Sequence, residues 1–199
     1  MPVIIQGIGI MYKRVHLFRA PPREKIEAAY AQPLSMRDRL ILELAYGSGL
    51  RRIELHRLNV EDIDLSERLV CVVGKGGRER VVPITNKAAE VLRGYLCTRS
   101  VQKGPLLLSY AGRRLTTAGI HMVCALRIGV RAHLLRHACA THMLQSGANI
   151  RILSELLGHR KLSTTQLYAW VGVADLEKRV NALHPRGKLY VASQIKKLT

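Results

Sequence analysis

Residues 133–157, HLLRHACATHMLQSGANIRILSELL, decide the fold. Leu135, Ala138, Cys139 and Met143 recur at helical spacing, which gives a helix over 133–146 with one apolar side. His133 and Arg136 are three apart and share a face near the start of that helix. Unpaired backbone N–H groups and the helix dipole favour an anion there. A second helix follows over 149–157, and Gly158-His159 breaks it, leaving His159 on the turn beyond.

Downstream, Ser163-Thr164-Thr165-Gln166 has the S-x-x-Q form of a capping box, so a helix is expected over 163–171 with Tyr168 one turn past the cap. Another helix is expected over 173–182. Upstream, helices are expected near 23–31, 35–47, 52–58, 86–99 and 116–127. The β-rich runs RLVCVV (68–73) and ERVVPI (79–84) flank Gly74-Lys75-Gly76-Gly77-Arg78, the pattern of a hairpin. Leu106 to Ser109 reads as a further strand. The expected fold class is α+β, mainly α-helical with a small antiparallel β-sheet, over 21–184, with tails at 1–20 and 185–199.

The chain's 199 residues carry 32 Lys plus Arg against 14 Asp plus Glu, a formal charge of +18. At 48% hydrophobic it can bury a core, so it is not a disordered basic tail. Of the 32 cations 22 are Arg, whose planar fork matches phosphate oxygens. From Val91 through Ser154 there is no acid, while nine Lys or Arg side chains fall in the same stretch. Folded surfaces normally mix signs, so a polyanion, with nucleic acid foremost, is the expected partner.

Other classes recede. No apolar run approaches the ~20 residues of a membrane helix, and the N-terminal charges follow the apolar stretch instead of preceding it, so a soluble cytoplasmic protein is expected. Cys71, Cys97, Cys124 and Cys139 stand far apart with no C-x-x-C, which predicts buried free thiols and no zinc knuckle. VVGKGGRER lacks the P-loop frame. His133 and His137 in HLLRH lack the Glu of a zinc helix and enclose Arg136. Glu61, Asp62 and Asp64 read as solvated loop acids, not a two-metal site. No cofactor and no metal are expected.

Five stretches together resemble the tyrosine recombinase (phage-integrase-like) family, most closely its Xer-type members. They are RDRLILELAYGSGLRRIEL, GKGGRERVVPI, LLRHACATHMLQSGANIRILSELLGH, LSTTQLYAWV and HPR at His184 to Arg186. They span about 37 to 186 in family order. The resemblance implies the tyrosine-recombinase catalytic (DNA breaking-rejoining) fold and a site-specific DNA recombinase or integrase. By the same resemblance Arg51 matches the first catalytic arginine, Lys75 the hairpin lysine, His133 and Arg136 the H-x-x-R pair, His159 the histidine of LGH and Tyr168 the nucleophile.

The chemistry implied is metal-free. A tyrosine hydroxyl titrates near ~10 and needs cations or a base to become nucleophilic. Two arginines can grip the non-bridging oxygens of a phosphodiester and stabilise the transition state. Tyr168 would form a 3′-phosphotyrosyl bond, Lys75 would protonate the leaving 5′-oxygen, His133 would act as acid or base and His159 as a hydrogen-bond donor. His56, His121, His137 and His142 have no such match and are expected to be structural. Members usually carry a separate core-binding domain ahead of the catalytic one, whereas about 20 residues precede the catalytic-like region here. Ala132 also stands where proline often precedes the histidine, and the stretch from Thr116 to His133 is short for an Xer-type member.

The family's tail often docks on a neighbouring subunit, so a homo-oligomer, a tetramer on double-stranded DNA, is the expected assembly. A non-catalytic DNA-binding fragment and a type IB topoisomerase-like activity are the alternatives.

Overall fold

A computed structural model describes residues 20–74, 77, 79–99, 102–158 and 173–186. The chain folds into α1 (Arg23–Ala31), α2 (Met36–Leu42), α3 (Arg52–Arg57), a hairpin-based sheet, α4 (Asn86–Cys97), α5 (Thr117–Ile128), α6 (Ala132–Gln145), α7 (Ile150–Leu157) and α8 (Val173–Leu183). The sheet has the order β1 (Ile63–Asp64), β2 (Leu69–Val73), β3 (Glu79–Pro83), antiparallel throughout. This is the mainly helical α+β architecture expected. Two-residue β1 carries no run long enough to read from sequence. The strand expected at 106–109 is reduced to an isolated bridge between Leu108 and Arg114.

Caps set the helix starts. The Ser35, Thr85 and Thr116 hydroxyls accept from the N–H groups of Asp38, Ala88 and Gly119, at 3.1, 3.1 and 3.0 Å. Each occupies a donor that the first helical turn leaves unpaired. Helix α5 stops at Gly129, whose φ of +73° suits glycine.

Helix α2 is the central strut. Its second half, Leu40 to Leu42, is buried on every side and runs into a π-helical turn over Glu43–Gly47. The wider turn keeps Glu43, Leu44, Ala45 and Tyr46 all inside the core, together with Leu50 just beyond. Around it pack Leu92 of α4, Cys124 of α5, and Leu135, Ala138, Cys139 and Met143 of α6. The last four are the apolar side expected from their spacing.

The hairpin pairs Val70 with Val82 and Val72 with Arg80. Val70, Val72 and Val82 face the core, and strand alternation places Arg80 on that inner face. The packed region runs past the boundary expected at 184. Pro185 and Arg186 are buried, and the Arg186 guanidinium grips both carboxylate oxygens of Glu43. Arg186 also lies 3.8 Å over the Tyr30 ring. His184 is buried edge-on to Tyr46, whose hydroxyl shares a 2.8 Å hydrogen bond with His142 Nδ1. The chain after α8 is thus tied to the π turn through Glu43 and Tyr46 and to α1 through Tyr30.

All four cysteines are free, as expected, but only Cys124 and Cys139 are buried; Cys71 is half-buried and Cys97 exposed. Cys97 ends α4 on the face away from Leu92 and Tyr95, so helix periodicity carries it to solvent. No single helix among the described residues is long and apolar enough to cross a membrane.

Candidate active site

Arg51 stands just before α3, and Glu54 one turn later turns back to meet it. The Glu54 carboxylate accepts from the Arg51 backbone N–H at 2.7 Å and from its guanidinium at 2.8 Å. It also accepts two hydrogen bonds from Arg80 of β3, at 2.6 and 2.9 Å. Glu54 is 1% exposed. Burial alone would raise its carboxyl, but the Arg80 guanidinium and the Arg51 donors hold it down at about 2. One buried carboxylate therefore fixes Arg51 and β3 in a common frame.

Arg136 reaches the same place from α6. It is 5% exposed and donates to the carbonyls of Gly49 and Leu157. Arg51 donates to the Leu157 and Gly158 carbonyls, each at 3.2 Å. Leu157 closes α7, and helix C-terminal carbonyls carry partial negative charge, a natural holder for guanidinium groups. Burial, and after it the neighbouring Arg51, lowers Arg136 to about 10, so it stays cationic at neutral pH.

Two glycines allow this approach. Gly49, at φ +61°, leaves room where a Cβ would stand 2.7 Å from Leu157 Cδ2. Gly158, at φ +60°, lies against the Arg80 side chain, 3.0 Å from where its Cβ would be.

Above the pair lies an open cleft of about 580 Å³ lined by Arg51, Arg52, Ile53, His121, Arg131, Ala132, His133 and Arg136. His133 is exposed at the first turn of α6, and no side chain caps that helix. The lining holds four arginines and two histidines with no acid. Such a wall attracts an oxyanion and supplies hydrogen bonds from several directions, the property needed to hold a phosphodiester while charge develops on it.

Of the residues expected from sequence, Arg51, His133 and Arg136 come together on this cleft. Lys75, His159 and Tyr168, and the helix expected over 163–171, lie outside the described residues. Gly158, whose carbonyl accepts from Arg51, is bonded directly to His159 in the chain.

Sequence reasoning missed Glu54 and Arg80; the three-residue spacing from Arg51 to Glu54 was the available signal. It also missed His121, expected to be structural but found on the cleft wall. His142 and His56 are structural as expected. The first pairs with Tyr46, and the second sets its Nδ1 2.9 Å from the Leu115 carbonyl.

A family model described as the phage integrase family matches residues 23–173. The chain is 42% identical over 175 residues to a tyrosine recombinase XerC of Mycobacterium leprae, covering 81% of this chain and 59% of that protein. It therefore spans about three fifths of the length of that relative. Among solved structures it resembles an integrase from mycobacterium phage Brujita, with a TM-score of 0.72 at 23% identity, over 92% of this chain and 61% of that one. It also resembles a XerH site-specific recombinase bound to its difH substrate in a pre-cleavage complex. That TM-score is 0.57 at 26% identity, over 73% of this chain and 47% of that one.

Proposed function

The chain belongs to the phage integrase family, and we propose that it is a tyrosine-type site-specific recombinase that cuts and rejoins double-stranded DNA through Tyr168. The observation that carries this reading is the convergence of Arg51 and Arg136 on the Leu157 carbonyl, under a basic cleft and two residues before His159 in the sequence.

In this reading Arg51 and Arg136 turn their free N–H edges to the two non-bridging oxygens of the scissile phosphate. Each guanidinium carries five donors, so bonds to the backbone leave others for the ligand. His133 takes the Tyr168 hydroxyl proton as the phenolic oxygen attacks phosphorus. The new bond is Tyr168 O–P and the bond broken is P–O5′, with the departing oxygen protonated by Lys75. His159 donates to the phosphate. One phosphoester replaces another, so the free 5′-hydroxyl of a partner strand can reverse the step without ATP or metal. The catalytic domain extends over about 21–186, and four copies acting on two duplexes in the cytoplasm complete the reaction.

The test uses a pool of nicked duplexes in which cleavage frees a short strand and traps the intermediate. Wild type is expected to give a denaturant-resistant protein–DNA adduct, and Tyr168→Phe none. A wild type that binds DNA but yields no adduct on any duplex of the pool overturns the enzymatic reading in favour of a non-catalytic DNA-binding module. Relaxation of supercoiled DNA without strand exchange would mark a type IB topoisomerase-like activity.

A further inference from the structure

The cleft is larger than one phosphate requires, and five of its eight lining residues are not used by the proposed chemistry. One phosphodiester offers two non-bridging oxygens, which Arg51 and Arg136 suffice to bind. A cleft of about 580 Å³ lies within the ~300–1,000 Å³ range that accommodates ligands of nucleotide size. The remaining wall consists of Arg52 beside Arg51, Arg131 and Ala132 at the uncapped start of α6, His121 from α5, and Ile53, 39% exposed.

The charge balance of these residues differs from that of arginines deeper in the fold. Arg37 and Arg127 both pair with Asp38, Arg80 with Glu54 and Arg186 with Glu43. Arg52 and Arg131 are exposed and have no acidic or carbonyl partner among the described residues. Two uncompensated guanidinium groups share one concavity with an imidazole and the positive end of a 14-residue helix. Mutual repulsion makes that arrangement unfavourable unless an anion relieves it.

Resting on the recombinase reading, we infer that Arg52 and Arg131, with His121, form a second phosphate seat that takes the neighbouring phosphate on the same DNA strand as the scissile one. The strand then crosses the cleft with one phosphate over the Arg51–Arg136 pair and the next between Arg52 and Arg131, its sugar against Ile53. The seat fixes the strand's direction before Tyr168 reacts. Arg52, Arg131 and His121 are positioning residues, since they touch the substrate's backbone and not the reacting atoms.

The test is the salt dependence of binding to a short fluorescein-labelled duplex of arbitrary sequence, since phosphate contacts carry no sequence information. Wild type is compared with Arg52→Ala/Arg131→Ala and Arg52→Lys/Arg131→Lys, each checked for unchanged helicity. The alanine pair is expected to make the slope of log K against log salt shallower by about 0.9, the value of one phosphate contact. The lysine pair is expected to keep the wild-type slope. An unchanged slope in the alanine pair, or an equal loss in the lysine pair, overturns the inference. Failure of the recombinase reading shows separately, as absence of adduct from wild type, and leaves the slopes measurable.

Discussion

Arg51, just before α3, and Arg136, in α6, donate to one acceptor, the Leu157 carbonyl at the end of α7. Two like charges are held side by side by a helix terminus below and by Glu54 beside Arg51. The pair is therefore built before any phosphate arrives, and the repulsion between the two cations is a standing attraction for an anion.

Glu54→Gln should damage both fold and site. The carboxylate is buried and bonded to two guanidinium groups, and removing one partner of such a cluster costs about 3–5 kcal/mol. Urea denaturation is expected to show a loss in that range. Adduct yield should fall even under conditions where the variant remains folded, because Arg51 loses its orientation.

Gly49→Ala should act on the same spot by steric means. The new methyl would meet Leu157 Cδ2 at 2.7 Å, and the φ of +61° disfavours any side chain. We expect a loss of at least about 2 kcal/mol from the left-handed backbone and overpacking combined. Displacement of α7 from Arg136 should reduce the adduct rate more than it reduces DNA affinity.

Stability should fall on the acid side of neutrality through His184. Burial holds this imidazole down at about 3, against an ordinary value near 6.5, with Arg186 acting in the same direction. Between those values the unfolded chain carries a proton that the folded chain refuses. The contribution is therefore complete above pH 6.5 and declines as pH drops toward 3, by about 1.4 kcal/mol per pH unit. His142 shifts in the same direction. Denaturation midpoints measured from pH 7.5 to 5 should drop for wild type and drop less steeply for His184→Leu.

Breaking the Arg186–Glu43 pair should release the chain after α8. Arg186→Ala strands a fully buried carboxylate, for an expected cost of about 3–5 kcal/mol. The double variant Glu43→Gln/Arg186→Met should lose less than the sum of its two single changes, which a double-mutant cycle measures.

Much of this was legible in the linear chain. Leu135, Ala138, Cys139 and Met143 announced the buried side of α6, and helices were expected to begin near 35 and 116. The runs flanking Lys75 gave the hairpin, because period and capping are local properties. The meeting of Arg51 with His133 and Arg136 was legible only through resemblance, since helical spacing joins the last two but no local rule brings Arg51 to them. The π turn over Glu43–Gly47 was not legible, because its Tyr46 and Glu43 meet His184 and Arg186, partners far away in the chain. Nor were the partners of Arg136, because backbone carbonyls have no sequence signature. Cys97 and His121 went astray for the opposite reason, their exposure depending on which face of a helix its neighbours leave open.

Peptide mapping of the trapped protein–DNA adduct tests the central claim most directly. The account predicts that the only peptide carrying a nucleotide contains Tyr168, linked through its phenolic oxygen to a 3′-phosphate. A nucleotide attached to any other residue, or attached to Tyr168 through a 5′-phosphate, would contradict it.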